Sequence, residues 1–176
     1  TFDLTEKKAV GMYVTKIRFY PASTPSVPTD ASFALGIWEG ENGENEVRKQ
    51  WVPDESIVWN KWVEVELEEP YYIDGSKTVF FGYTCQAVQG WVGGIDNGPA
   101  VRGKGNMINV DGSWMTITGL SPDLDYNWMI EVYCTDALEA GMNEAKAESE
   151  DFVKSWSVYR LVNGQQEKPS SWTELA

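Results

Sequence analysis

Residues 61–70 read KWVEVELEEP, and their strict alternation limits what the chain can fold into more than any other feature. Val63, Val65 and Leu67 fall on one side of an extended backbone, Glu64 and Glu66 on the other. A helix would scatter these residues around its circumference, so the run reads as a strand with one face on a core and one in water. The same period recurs along the chain. In YVTKIRF, residues 13–19, it sets Tyr13, Thr15, Ile17 and Phe19 against Lys16 and Arg18. Phe33, Leu35 and Ile37 share a face, as do Trp128, Ile130, Val132 and Cys134. Residues 78–85, TVFFGYTC, are apolar on both faces, as a central strand requires.

Turn chemistry punctuates these runs. Asn42-Gly43, Asp74-Gly75, Asn97-Gly98 and Asp111-Gly112 are turn dipeptides, and residues 21–30, PASTPSVPTD, read as a Pro/Ser/Thr loop. Many strands, regular turns and almost no helical period predict an all-β chain, a jelly-roll β-sandwich with long loops. The expected domain spans residues 1–136. Residues 137–150, rich in Ala and Glu, are expected to be an acidic linker. Residues 151–176 then read as strand, turn, strand. Two strands are marginal alone, so this tail either docks on the sandwich or opens a second module.

Composition removes whole classes of function. With 27 acidic residues against 14 basic and a net charge of −13, the chain lacks the basic footprint that nucleic acid or an anionic membrane demands. It has no histidine, which excludes Ser-His-Asp and Cys-His catalysis and the commonest zinc ligand. A glycosidase using two carboxylates survives this filter, but nothing in the pattern selects a catalytic pair, and no catalytic residue is assigned. No apolar run approaches the roughly 20 residues needed to cross a bilayer, so membrane insertion by this segment is not expected. Opening at Thr1 rather than Met, the chain is read as a processed or excised fragment.

Two motifs invite a site and fail on inspection. Gly98, Gly103 and Lys104 match the front of a phosphate-binding loop, but Gly105 stands where a Ser or Thr must hold Mg²⁺. A strand and a turn, not a helix, are expected to follow. Asp123, Asp125 and Asn127 match the start of a Ca²⁺ loop, but Trp128 replaces the required glycine and Cys134 the required glutamate.

The runs VTKIRFYP, ALGIWEG and WNKWVEVELEEPYYIDGSKTVFFGY resemble the cleaved-adhesin type of jelly-roll domain found in gingipain-type haemagglutinin regions and in Bacteroidetes surface proteins. The Gly94, Asp96, Gly98, Pro99 block, the GKGN and DGSW runs and LDYNWMI complete the match, which spans about residues 11–134. The tail SWSVYRLVNGQ is similar to the first hairpin of a fibronectin-III-like module. The resemblance implies a non-catalytic adhesion or carbohydrate-binding module of a larger secreted, cell-surface or outer-membrane-associated protein. Its implied partner is a glycan or a host or matrix protein surface, met as a monomer within a multidomain chain. The alternative is a structural spacer that positions other domains. Some relatives are linked to proteases, but no protease motif is present here to carry that activity over.

The candidate ligand-binding residues are Trp91, Asp96, Asn97 and Trp59. Asp96 and Asn97 sit in the longest glycine-rich loop, where they would contact sugar hydroxyls or, with Asp111 as a third oxygen donor, Ca²⁺. The simpler expectation for Asp96 is an Asx turn onto its own backbone. Trp91 either stacks on a sugar or folds back over the core. Trp59, just before a strand, is a weaker candidate. Trp38 and Trp62 are either exposed or covered by another segment, whereas Trp114 and Trp128 are expected in the core. Cys85 and Cys134 fall on inward strand faces. A disulfide requires neighbouring strands, and free thiols are expected because neither cysteine belongs to the family pattern.

Overall fold

A computed structural model of the chain describes residues 2–3, 9–24, 31–87, 91–136, 157–162 and 165–167. Its elements run β1 (Phe2–Asp3), β2 (Tyr13–Phe19), β3 (Pro21–Thr24), β4 (Ser32–Glu39), β5 (Asn45–Val52), β6 (Val63–Tyr72) and β7 (Val79–Gln86). They continue with β8 (Trp91–Gly93), β9 (Met107–Val110), β10 (Ser113–Thr116), α1 (Ile117–Leu120), β11 (Ile130–Thr135), β12 (Ser157–Val162) and β13 (Gln165–Glu167). The chain is all-β, with one four-residue helix among the described residues.

Two antiparallel sheets carry the core. One has the order β1-β7-β4-β5, the other β13-β12-β11-β2-β6. Val14, Ile17 and Phe19 of β2, Phe33, Leu35 and Ile37 of β4, Phe81 of β7 and Ile130, Val132 and Cys134 of β11 form one buried cluster between them. The alternation read in β4, β6 and β11 is therefore the inward face of a sandwich. β7 lies between β1 and β4, and Val79, Phe80, Phe81 and Gly82 are all buried, as its two apolar faces predict.

β2 departs from simple alternation. Its pairing with β11 shifts between Tyr133 and Cys134, so that Lys16 and Val14 take successive partners and Thr15 is the extra residue. The bulge turns Val14 into the core in place of Tyr13, whose ring instead lies 4.9 Å from that of Tyr72. The opposite partner is irregular too. The register with β6 slips between Val14 and Lys16, and Pro70, which has no N–H to give a ladder, falls in the slipped stretch.

The sandwich is tied across its open sides by side chains. The Gln50 amide of β5 donates to the Glu66 carbonyl (2.8 Å) and accepts from the Glu68 N–H (2.9 Å), linking the edge strands of the two sheets as a ladder rung would. At one end Tyr71 of β6 donates to Glu39 of β4 (2.6 Å), and Lys77 also pairs with that carboxylate.

Both outer faces are partly covered. On the four-stranded sheet the Trp38 indole lies across Gly36, where a Cβ would stand 2.2 Å from the ring. Trp114 of β10 meets Trp38 edge-on at 5.5 Å, bringing the β9–β10 hairpin over this face. Trp38 is thus buried by another segment, and Trp114 sits half-buried outside the inter-sheet core rather than within it. On the five-stranded sheet Arg18 and Glu131 form a buried ion pair (Nη2 to Oε2, 2.6 Å), with the guanidinium 4.4 Å from the centre of the Trp62 ring.

Two local expectations are corrected. Pro21–Thr24 is not loop but β3, paired with β8; proline suits the first position of such a short edge strand. Asn45–Val52, a polar run in which no strand was expected, is β5, the hairpin partner of β4. An edge strand open to water needs little apolar content. Of the tail, β12 pairs antiparallel with β11 through Val132–Tyr159, Tyr133–Val158 and Cys134–Ser157. The predicted linker, residues 137–150, lies outside the described residues. Among the described residues no helix is long and apolar enough to cross a membrane.

Candidate functional site

β3 gathers the sequence candidates at one end of the sandwich. Asn60, in left-handed conformation (φ 58°), receives the Ser23 N–H on its side-chain oxygen (3.1 Å) and donates to the Ser23 hydroxyl (2.8 Å). The Asn60 N–H donates to the Pro21 carbonyl (2.8 Å). This fixes the loop that carries Trp59. On the other side Trp91 pairs with Thr24 and Gly93 with Pro21, while the Gly94 N–H donates to the Tyr20 carbonyl (2.8 Å). Trp59, Trp91, Asp96 and Asn97 thus belong to two segments anchored on the same short strand.

Their side chains do different things. Trp59 is half-buried and packs edge-on against Phe33, ring centres 5.8 Å apart, so it closes the core. Trp91 contributes its backbone to β8; its side chain lies outside the described residues. Asn97 is exposed.

Asp96 is the hub of the loop. Its Oδ1 accepts the N–H groups of Gly98 (2.8 Å) and Asn127 (2.8 Å), and its Oδ2 accepts the Asn127 side-chain amide (2.9 Å). The Gly98 bond is the expected Asx turn. The Asn127 bonds go further and staple the loop to the segment before β11. Asn127 repeats the device, donating to the Pro99 carbonyl (3.0 Å) and accepting from the Val101 N–H (2.6 Å). Asp125 accepts the Ala100 N–H (3.1 Å) and Asn106 accepts the Gly103 N–H (3.0 Å). Loop backbone that no ladder can satisfy is therefore satisfied by carboxylates and amides.

Gly98 is where the two segments touch. Its φ is +66°, and a Cβ there would lie 2.0 Å from the Asp125 carbonyl oxygen. The peptide to Pro99 is cis. Lys104 and Gly105 donate to the Val101 carbonyl (3.1 and 3.0 Å), a local turn followed by β9 and not by a helix. The phosphate-loop reading fails on geometry as it did on Gly105.

The proposed cation ligands do not assemble into a metal centre. Asp111 turns the β9–β10 hairpin with φ 51°, and Asp96 is engaged as described. Among the described residues no group of three or more His, Cys, Asp or Glu is placed to hold a metal ion. Cys85, exposed on β7, and Cys134, buried on β11, are free thiols on strands of different sheets, and burial pushes the Cys134 thiol up to about 12.

Two residues that position this loop escaped the sequence reading. Asp125 and Asn127 were visible only as a failed Ca²⁺ loop, yet the same D-x-N spacing points both side chains at the 96–101 loop. Trp128 is half-buried against the core, with its indole N–H donating to the Met107 carbonyl (2.8 Å).

Fold and site together define an all-β sandwich with a stapled polar loop at one end. No family model, curated protein or solved structure matches the chain.

Proposed function

We propose that the chain is a non-catalytic adhesion or carbohydrate-binding module, a jelly roll borne by a larger secreted or cell-surface protein. The observation that carries this reading is the loop of residues 94–106. Its backbone is held by Asp96, Asp125, Asn127 and Asn106, so the end of the sandwich is preorganised. A preorganised loop recognises a surface without first losing conformational entropy.

A broad glycan array, probed with and without Ca²⁺, tests the proposal. Retention of a defined saccharide class supports it; retention of none, together with no retention on a parallel array of matrix proteins, overturns it. The spacer reading is favoured by one fact, that Asp96 uses both carboxylate oxygens inside the protein. On that reading the array stays blank and Trp91→Ala changes no binding.

A further inference from the structure

One edge of the sandwich is open. β7 is paired along its whole length with β4, but on its other side β1 meets only Phe80 and Phe81. Among the described residues no strand pairs with that side of residues 83–86. Exposure rises along the same stretch. Phe81 and Gly82 are buried, Tyr83 and Thr84 half-buried, Cys85 and Gln86 exposed. Cys85 marks this as a gap in the wall of the core. It stands opposite Phe33 on the inward face, and Phe33 is fully buried while Cys85 is not. The opposite flank is guarded. There β5 carries Glu46, Arg48 and Lys49 and is tied by Gln50, and β6 carries Glu64, Glu66, Glu68, Glu69 and Pro70. Residues 78–95 hold no charge at all, in a chain with 27 acidic and 14 basic residues. An open, uncharged edge is a template for a further strand.

We infer that the edge of residues 83–86 accepts one extended, uncharged segment of a partner polypeptide, laid antiparallel to β7 in line with β1. Residues of that segment opposite Tyr83 and Cys85 face the core and are apolar; those opposite Thr84 and Gln86 face outward. The strand order selects a single strand over a second sandwich. Gln50 ties β5 to β6 at one flank, so β12, which extends the other sheet beside β11, falls on the flank where this edge is open. There β12 leaves room for one added strand but obstructs the second sheet of another copy. Charge acts in the same direction, because two chains at −13 repel each other. This surface goes beyond the module reading and uses no residue of the loop 94–106.

The full chain is titrated with a capped peptide of alternating threonine and valine, kept soluble by a short polyethylene glycol tail. Alkylation of Cys85 by iodoacetamide is followed by mass spectrometry, with the buried Cys134 as the unreactive reference. Saturating peptide is expected to slow Cys85 alkylation about tenfold and to slow amide exchange across residues 83–86. A proline at the centre of the peptide removes a ladder donor and should weaken binding about tenfold. Thr84→Lys places a guarding charge on the edge and should also weaken it. Near-UV circular dichroism checks that this variant is folded, and the proline peptide makes the same test on the unaltered chain. Unchanged alkylation and exchange at about 1 mM peptide, the weak limit for so short a strand, overturn the site. So does equal binding by the proline peptide. Equal binding by a peptide with glutamate for valine overturns the uncharged class. Protection of Cys85 that grows with protein concentration in the absence of peptide assigns the edge to a second copy and overturns the partner segment. Each of these failures leaves the array test of the module reading untouched.

Discussion

At the scale of single residues, Asp96 and Gly98 decide whether the loop of residues 94–106 exists. Asp96 accepts from two backbone N–H groups and one amide, so a single carboxylate closes the turn and holds the loop to Asn127. Asp96→Ala is expected to cost about 2 kcal/mol in urea unfolding, because hydrogen bonds to a charged acceptor are lost where water only partly replaces them. Asp96→Asn should cost less, since one oxygen still closes the turn. Added Ca²⁺ should not shift the midpoint of either variant; a large stabilisation of the wild type by Ca²⁺ would show that Asp96 ligates a metal. Gly98→Ala separates contact from conformation. Gly112 also has positive φ (+84°), but a methyl there would meet nothing within 4 Å, so Ala at that position should cost about 1 kcal/mol. At Gly98 the methyl would meet the Asp125 carbonyl oxygen at 2.0 Å, so the loss should exceed that of Gly112→Ala by several-fold. Equal losses would mean that the two segments do not touch.

At the scale of elements, the edge strands β5 and β6 are joined by one amide. Gln50 supplies both a donor and an acceptor to the β6 backbone, and Arg48 reaches Glu69 (2.8 Å) beside it. The Arg48 pair is exposed and contributes little. Gln50→Leu removes both rungs and leaves the Glu66 carbonyl and Glu68 N–H to solvent. It should destabilise by about 1–2 kcal/mol and raise the hydrogen-exchange rate of the Glu68 amide. It should also promote self-association, because it opens a strand edge. Unchanged exchange at Glu68 would rule out the tie. The strands themselves were legible where one face is apolar, as in β4, β6 and β11. β5 was not legible because it is an edge strand whose side chains meet mostly water. Nor was the bulge at Thr15, since an extra residue is defined only by the partner strand that skips it.

At the scale of the whole molecule, pH stability follows from groups that join the sheets, lie between them or are buried on an outer sheet face. The Lys77 ammonium, and then the Tyr71 hydroxyl, hold the Glu39 carboxyl below its ordinary range. The folded protein therefore binds this proton less tightly than the unfolded chain. Its contribution is complete above the ordinary glutamate value of about 4.3 and is lost as pH falls through the lower folded value. Burial pushes the other way on the Tyr71, Tyr83 and Tyr133 phenols and on the Cys134 thiol, which rises to about 12. These groups keep their protons more tightly when folded. Their contribution is complete below the unfolded values, about 8.5 for the thiol and about 10 for the phenols, and fades as pH rises beyond them. Melting temperature should thus be flat from about pH 5 to about pH 8 and fall on both sides. Glu39→Gln should shallow the acid limb while the alkaline limb driven by Tyr83 and Cys134 persists; an unaltered acid limb would remove Glu39 from the account.

Alternation and turn dipeptides by themselves determined that this chain is built from strands, which faces of β4, β6 and β11 point inward, and where four of its turns fall, because side-chain period and positive-φ preference are local properties of the backbone. Its lack of histidine leaves no imidazole in these residues for a Ser-His-Asp or Cys-His arrangement. Only the tertiary structure decided that Asp96 is spent on Asn127, that Trp59 closes the core against Phe33, that Trp114 crosses to Trp38, and that Trp51 alone among those indoles is left in water. Each of these depends on which distant segment arrives beside a residue, and such long-range adjacency leaves no periodic trace in the sequence.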